Sequence, residues 1–273
     1  MKKIICPTDF SETAQHAVTY AAKMAQKCGA ELTLFHVQSL WDLIPVELVW
    51  GKDMTHQAIA NHIEELSLEI TRVYKISCKG VIQKSNQSVS KLIANESNHQ
   101  YDLIIMGTEG PNSLYEFFAG SKTYQVTKKA QVPILLLPPN IEFQEISSIV
   151  YAADYFHEQD LPLNQLVSWA TILQSKITVL QIITEPFKQE IEETLTQRQL
   201  HFQQKGNNQF DLDFITIYSG HVIDGINYYL LKKSCDLLAV NTRHHNFLKK
   251  LFHESIIKII SASPQLPTFV FHQ

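Results

Sequence analysis

Short apolar runs alternate along this chain with longer stretches in which apolar residues recur every three or four positions. KKIICPTD reads as a strand running into a turn, and residues 2–7 carry it. From Ser11 to Cys28, the residues Ala14, Ala17, Val18, Ala21, Ala22 and Ala25 fall on one face of a 3.6-residue helix. Ser11 suits the N-cap and Gly29 the stop. ELTLFHV, residues 31–37, is the next strand, followed by strands at 77–82, 102–107 and 133–137, with a helix starting near Met54 ahead of the third. The strands are apolar on both sides, as expected when helices cover both faces of a sheet. Strand–helix–strand units of this kind predict parallel pairing through right-handed crossovers.

The pattern then repeats. SSIVYAADY, a helical stretch and SKITVLQII follow the same plan from residue 147. Asp9 matches Asp154 and Thr33 matches Thr178, both 145 positions apart; Asp102 matches Asp236 and Pro133 matches Pro267, both 134 apart. Two constant offsets joined by one change of 11 residues describe a tandem repeat with extra length in the first copy. Trp41 to His62 is where that length is expected, as a lid, a contact surface or a local core. The seam falls in PPNIEFQEIS, giving domains at 1–140 and 141–273.

Length and charge narrow the class. A chain of 273 residues suits two cores of about 100–150 residues each. With 45% hydrophobic and 18% charged residues it is an ordinary globular chain, and a net charge of −4, well mixed, supplies no basic face for nucleic acid or an anionic membrane. The first residues lack the apolar run of a signal peptide, and no stretch reaches about 18 apolar residues, so a cytoplasmic protein is expected. Cys6, Cys28, Cys78 and Cys235 form no CxxC pair, and reduced thiols are expected. His244, His245 and His253 lack zinc spacing, and His56 and His62, six apart, fall on different helix faces as surface residues. No nucleophile elbow is present, and no catalytic machinery is evident.

The chemistry concentrates in GTEGPNSLYEFFAGS, residues 107–121. Gly107, Gly110 and Gly120 let backbone amides approach an anion, and Gly120-Ser121 precedes a stretch, SKTYQVTKKA, able to start a helix. A few glycines in a loop are by themselves an ordinary strand–helix connection. In an open parallel sheet, however, ligands gather at the strands' carboxyl ends by the topological switch point, where the turn at Pro7 to Asp9 and the end of the second strand also lie.

PTDFS after the first strand, LFHV in the second, DLIIMGTEG, nine residues, GS and a final QVPILLLP together resemble the universal stress protein family, over both copies and most specifically in the first. The resemblance implies two tandem Rossmann-like, adenine nucleotide alpha hydrolase-like domains, each a five-stranded parallel sheet of order 3-2-1-4-5 flanked by helices. It further implies ATP or AMP, with or without magnesium, in the first domain. Pro7, Thr8, Asp9 and Val37 would hold adenosine, with Asp9 accepting from ribose or base. Gly107, Gly110, Gly120 and Ser121 would hold phosphates, helped by the amides of Thr108, Glu109 and Lys122. It also implies pairing of the two copies as an internal pseudo-dimer and a dimer of the whole chain. Glu109 and Pro111 depart from the pattern: one is an acid beside phosphates, the other lacks a donor. The second copy departs further, with Ala152 and Ala153 for Pro7 and Thr8, and Asn241, His244 and Glu254 for the glycines; only Asp154 and Ser255 remain. That copy is expected not to bind ATP. Two rivals stay open: a slow magnesium-dependent ATPase using Asp9, and a ligand-free scaffold for a protein partner.

Overall fold

The computed structural model describes residues 2–39, 56–108, 122–153, 161–184, 193, 196–197, 200, 212–241 and 266–271. Predicted features at 109–121, 154, 244–245 and 253–255, and most of the 41–62 segment, lie outside them.

The chain forms two compact units, the first ending at Phe143 and the second starting at Gln144. The boundary falls inside PPNIEFQEIS, where the Phe143 ring still packs on the first unit, meeting Tyr20 edge-on with centroids 5.1 Å apart.

In the first unit the strands are β1 (Lys3–Pro7), β2 (Glu31–Ser39), β3 (Cys78–Ser85), β4 (Leu103–Gly107) and β5 (Ile134–Leu137), ordered β3-β2-β1-β4-β5 and all parallel. Helices α1 (Glu12–Cys28), α2 (His56–Tyr74), α3 (Val89–Gln100) and α4 (Lys122–Lys129) connect them. Right-handed crossovers put α1 and α2 on one face and α3 and α4 on the other, and these are the helix pairs that pack together. In the second unit β6 (Ser148–Ala153), β7 (Lys176–Ile183), β8 (Leu212–Tyr218), β9 (Leu237–Asn241) and β10 (Thr268–Phe271) repeat the order as β8-β7-β6-β9-β10, with α5 (Leu161–Leu173) and α6 (Val222–Lys232) among the connections. This is the expected 3-2-1-4-5 Rossmann-like sheet, twice.

The local signals act as expected. Ser11 caps α1 through its hydroxyl, which accepts from the Ala14 amide at 3.3 Å, and Gly29 closes the helix with φ +60°. Strands β5, β9 and β10 are buried along their whole length, and β4 up to its last residue, Gly107. Edge strand β3 is mixed in burial and runs three residues past the expected end, and its partner β2 continues with it to Ser39. Val37 therefore lies inside β2, opposite Gln83, rather than at the strand's end.

Sheet register carries the repeat. Ile5 pairs with Thr33 and Val150 with Thr178, each partner displaced by 145; Ile104 pairs with Ile134 and Leu238 with Thr268, each displaced by 134. Leu32 pairs with Cys78 and Ile177 with Leu212, so the offset changes between the second and third strands, the interval that holds Trp41 to His62. The last residues of that segment, from His56, open α2; the expected helix start at Met54 lies outside the described residues.

The repeated aspartates have one structural role. The Asp102 carboxylate accepts from the Lys3 amide at 2.8 Å, and Asp236 accepts from the equivalent Ser148 amide at 2.9 Å, each tying the start of the fourth strand to the first. Asp236 also accepts from the Ser147 amide at 2.9 Å and its hydroxyl at 2.8 Å, whereas Asp102 adds only a half-exposed ion pair with Lys2 at 3.2 Å. Bonds to a carboxylate contribute more than a surface ion pair. Asp236→Ala is expected to cost about 2 kcal/mol and Asp102→Ala about half of that, read by chemical denaturation; equal losses would contradict this assignment.

Candidate functional site

The site is built on the turn from β1 to α1. Thr8 is buried; its amide donates to the Phe35 carbonyl at 3.0 Å, and its hydroxyl oxygen accepts from the Phe10 amide at 3.1 Å. Asp9 is exposed, and its Oδ1 accepts from the Ser11 amide at 3.2 Å and the Ser11 hydroxyl at 2.6 Å. Ser11 in turn caps α1. The turn is thus a chain of short side-chain-to-backbone bonds that fixes the Asp9 carboxylate at the helix start. The Ser11–Asp9 contact belongs to the cap.

Between those two bonds sits Phe10, with φ +62°, a left-handed backbone that a bulky side chain adopts only when its surroundings impose it. Its carbonyl accepts from the Gln15 side-chain amide at 3.1 Å. Its ring meets those of His36, with centroids 4.7 Å apart, and His62 of α2, at 4.9 Å. His36 Nδ1 is 2.9 Å from the Thr8 carbonyl; a carbonyl only accepts, so Nδ1 carries the proton. His62 is exposed as expected, yet it covers the turn. Sequence reasoning passed over Phe10 and His36, because neither a positive φ nor a cross-element ring contact has a local signature.

β4 brings the second part. It lies beside β1, and its last residue is Gly107. Thr108 is buried, donating through its amide (2.8 Å) and hydroxyl (3.1 Å) to the Leu137 carbonyl. A Cβ on Gly107 would lie 2.8 Å from Thr13 Cγ2 and 2.9 Å from the Thr13 carbonyl, so α1 passes directly against the end of β4. On this flank a cleft of about 280 Å³ opens among Glu12, Thr13, His16, Gly107, Pro139 and Asn140.

Of the expected site residues, Pro7, Thr8 and Asp9 stand at the carboxyl end of β1, and Gly107 and Thr108 at that of the adjacent β4. Val37 stands in β2 on the other side of β1. Lys122 opens α4. Glu109, Gly110, Gly120 and Ser121 lie outside the described residues. No group of three or more His, Cys, Asp or Glu able to hold a metal ion occurs among the described residues. No helix among them is long and apolar enough to cross a membrane.

The four cysteines are free thiols, and burial pushes those of Cys28 and Cys235 up to about 11, that of Cys78 up to about 12 and that of Cys6 higher still. The thiolate is the reactive form. Native protein at pH 8 is therefore expected to react slowly with a disulfide reagent, and all four thiols quickly in denaturant; one fast native thiol would contradict their placement.

Comparison with known proteins agrees with the fold. The family model described as the universal stress protein family matches residues 1–138. Universal stress protein MJ0577 of Methanocaldococcus jannaschii is 28% identical over 156 residues, covering 50% of this chain and 94% of the relative. Among solved structures, a universal stress protein from Archaeoglobus fulgidus superposes with a TM-score of 0.69 at 15% identity, over 99% of this chain and 96% of that one. A putative universal stress protein from Pseudomonas aeruginosa superposes with a TM-score of 0.65 at 15% identity, over 100% and 93%. At such identity these two likenesses speak for the fold.

Proposed function

The chain belongs to the universal stress protein family, and on that premise we propose that its first unit is an adenine-nucleotide-binding regulatory module, holding ATP or AMP with or without magnesium. The observation that carries this reading is the convergence of Pro7-Thr8-Asp9 and Gly107-Thr108 at the carboxyl ends of adjacent strands β1 and β4. β1 continues through α1 to one side of the sheet while β4 is reached from the other, so this is the switch point, where a ligand fits outside the strand ends. Asp9 offers an acceptor to ribose or base. Gly107 begins the glycine segment that, with Gly110, Gly120 and Ser121, would hold phosphates through backbone amides. Thr108, Glu109 and Lys122 flank it, and Val37 lies on the adenosine side.

The second unit keeps the fold but has Ala152, Ala153 and Asn241 at the matching positions, which supports one nucleotide per chain. Among the described residues no geometry favours turnover over binding. The test is mass spectrometry of small molecules released from purified protein, followed by titration of stripped protein with ATP and AMP. One equivalent per chain is expected; no binding of either nucleotide would favour a ligand-free scaffold, and magnesium-dependent phosphate release would favour an ATPase.

A further inference from the structure

One of the places where the two units differ in pairing is a rung of the sheet at the switch point. In a parallel strand, successive residues turn their backbone groups to opposite neighbours. In β1 the even-numbered residues face β2: the Lys2 carbonyl accepts from Glu31, and the Thr8 amide donates to Phe35. The odd-numbered residues therefore face β4, as the Lys3 carbonyl does in accepting from Asp102. In β4 the Ile104 amide turns away to Pro133, which leaves Leu103 and Ile105 facing β1. The next rung toward the carboxyl end would run from the amide of residue 7 to the Ile105 carbonyl. Residue 7 is proline and has no N–H.

The registers show the consequence. The β1–β4 pairing stops at Ile5↔Ile104, although β1 continues to Pro7 and β4 to Gly107. On the outer sides both strands stay paired to their ends, Pro7 with Phe35 and Gly107 with Leu137. In the second unit Ala152 stands where Pro7 would be, and the β6–β9 pairing runs two pairs further, through Tyr151↔Ala239 to Ala152↔Val240. The loss is thus confined to the central seam of one unit, between the segments that carry Thr8-Asp9 and Gly107-Thr108.

We infer that Pro7 is a positioning residue that, by withholding this rung, lets the ends of β1 and β4 adjust to a nucleotide lying across them, whereas the second unit is fastened at the same place. The inference rests on the nucleotide reading above and adds a reason, within the sheet, for the difference between the two units.

The test compares wild type with Pro7→Ala and Pro7→Val, both of which restore an N–H, the second keeping apolar bulk at the position. ATP affinity of stripped full-length protein is measured by calorimetry, exchange of the residue 7 amide by NMR, and stability by thermal unfolding. Both variants are expected to bind ATP about fivefold more weakly, the equivalent of one backbone hydrogen bond that binding must now loosen. Both should also show a slowly exchanging amide at residue 7 and a melting temperature no lower than wild type. Unchanged affinity with a protected amide would overturn the inference and leave the nucleotide reading intact. Weaker binding with an unprotected amide would also overturn it, because the loss would then come from contact with the proline ring. Wild-type protein that takes up no adenine nucleotide would overturn both together.

Discussion

A Gly107→Val protein is expected to lose about 3 kcal/mol of stability, because residue 107 has no room for a side chain. The obstacle is α1 and not the strand. An added Cβ meets Thr13 at 2.8 Å and 2.9 Å, and the second of those contacts is a backbone carbonyl that cannot rotate aside. Relief would require moving the start of α1, which is tied by Ser11 and Asp9 to the β1 turn. The second unit supplies the control: Asn241, paired with Phe271 as Gly107 is with Leu137, carries a side chain at the same place in the sheet. The same strand position in the second unit therefore accepts a side chain. Gly107→Ala should lose about 2 kcal/mol, since it adds the clashing atom without the branches. Chemical denaturation, with hydrogen exchange of β4 and α1 peptides to report on the first unit, measures both. A Gly107→Val change within about 0.5 kcal/mol of wild type, the range of an ordinary surface substitution, would show that α1 is free to move and that this glycine has no packing role.

That glycine marks the limit of what the chain discloses on its own. The offset between Asp9 and Asp154 predicted a register, and Ile5↔Thr33 and Val150↔Thr178 realise it, because parallel strands of matched length leave few alternative pairings. Ser11 and Gly29 were legible because caps depend on local backbone chemistry. Gly107 was equally visible, but its reason was not: the sequence suggested close approach of a ligand, while the structure adds close approach of Thr13, a tertiary fact. Phe10 likewise gave no warning of a left-handed backbone or of ring contacts from β2 and α2. The polar residues after Val37 mimic a loop; pairing with an edge strand carries β2 onward regardless. Pro7 was read for its place in a motif, and the consequence of its missing N–H needed the neighbouring register.

Asp9→Ala is expected to weaken adenine-nucleotide binding about a hundredfold, and Asp9→Asn about tenfold. The carboxylate has two tasks that these variants separate. Within the fold, Oδ1 accepts from the Ser11 amide and hydroxyl. An asparagine carbonyl can accept both, so the turn survives that change, while alanine leaves the α1 cap to the Ser11 hydroxyl alone, which still accepts from Ala14. Asp9 is exposed, so water can satisfy the released donors, and the stability loss for alanine should stay near about 1 kcal/mol. Toward a nucleotide, the carboxylate would accept from ribose or base hydrogens, and charge strengthens such bonds. Asparagine keeps the geometry without the charge; alanine keeps neither. A graded loss of affinity, with melting temperatures of the ligand-free proteins lowered by no more than the few degrees that about 1 kcal/mol represents, therefore identifies a ligand contact and excludes collapse of the turn. Asp154→Ala, the matching change in the second unit, should leave both affinity and the one-to-one stoichiometry unaltered. If Asp9→Ala binds ATP and AMP as wild type does, the carboxylate does not face the nucleotide, and the ligand must sit away from the β1 turn. If wild type instead takes up two equivalents and Asp154→Ala reduces them to one, the second unit binds too, and its alanines and Asn241 are no bar to a ligand.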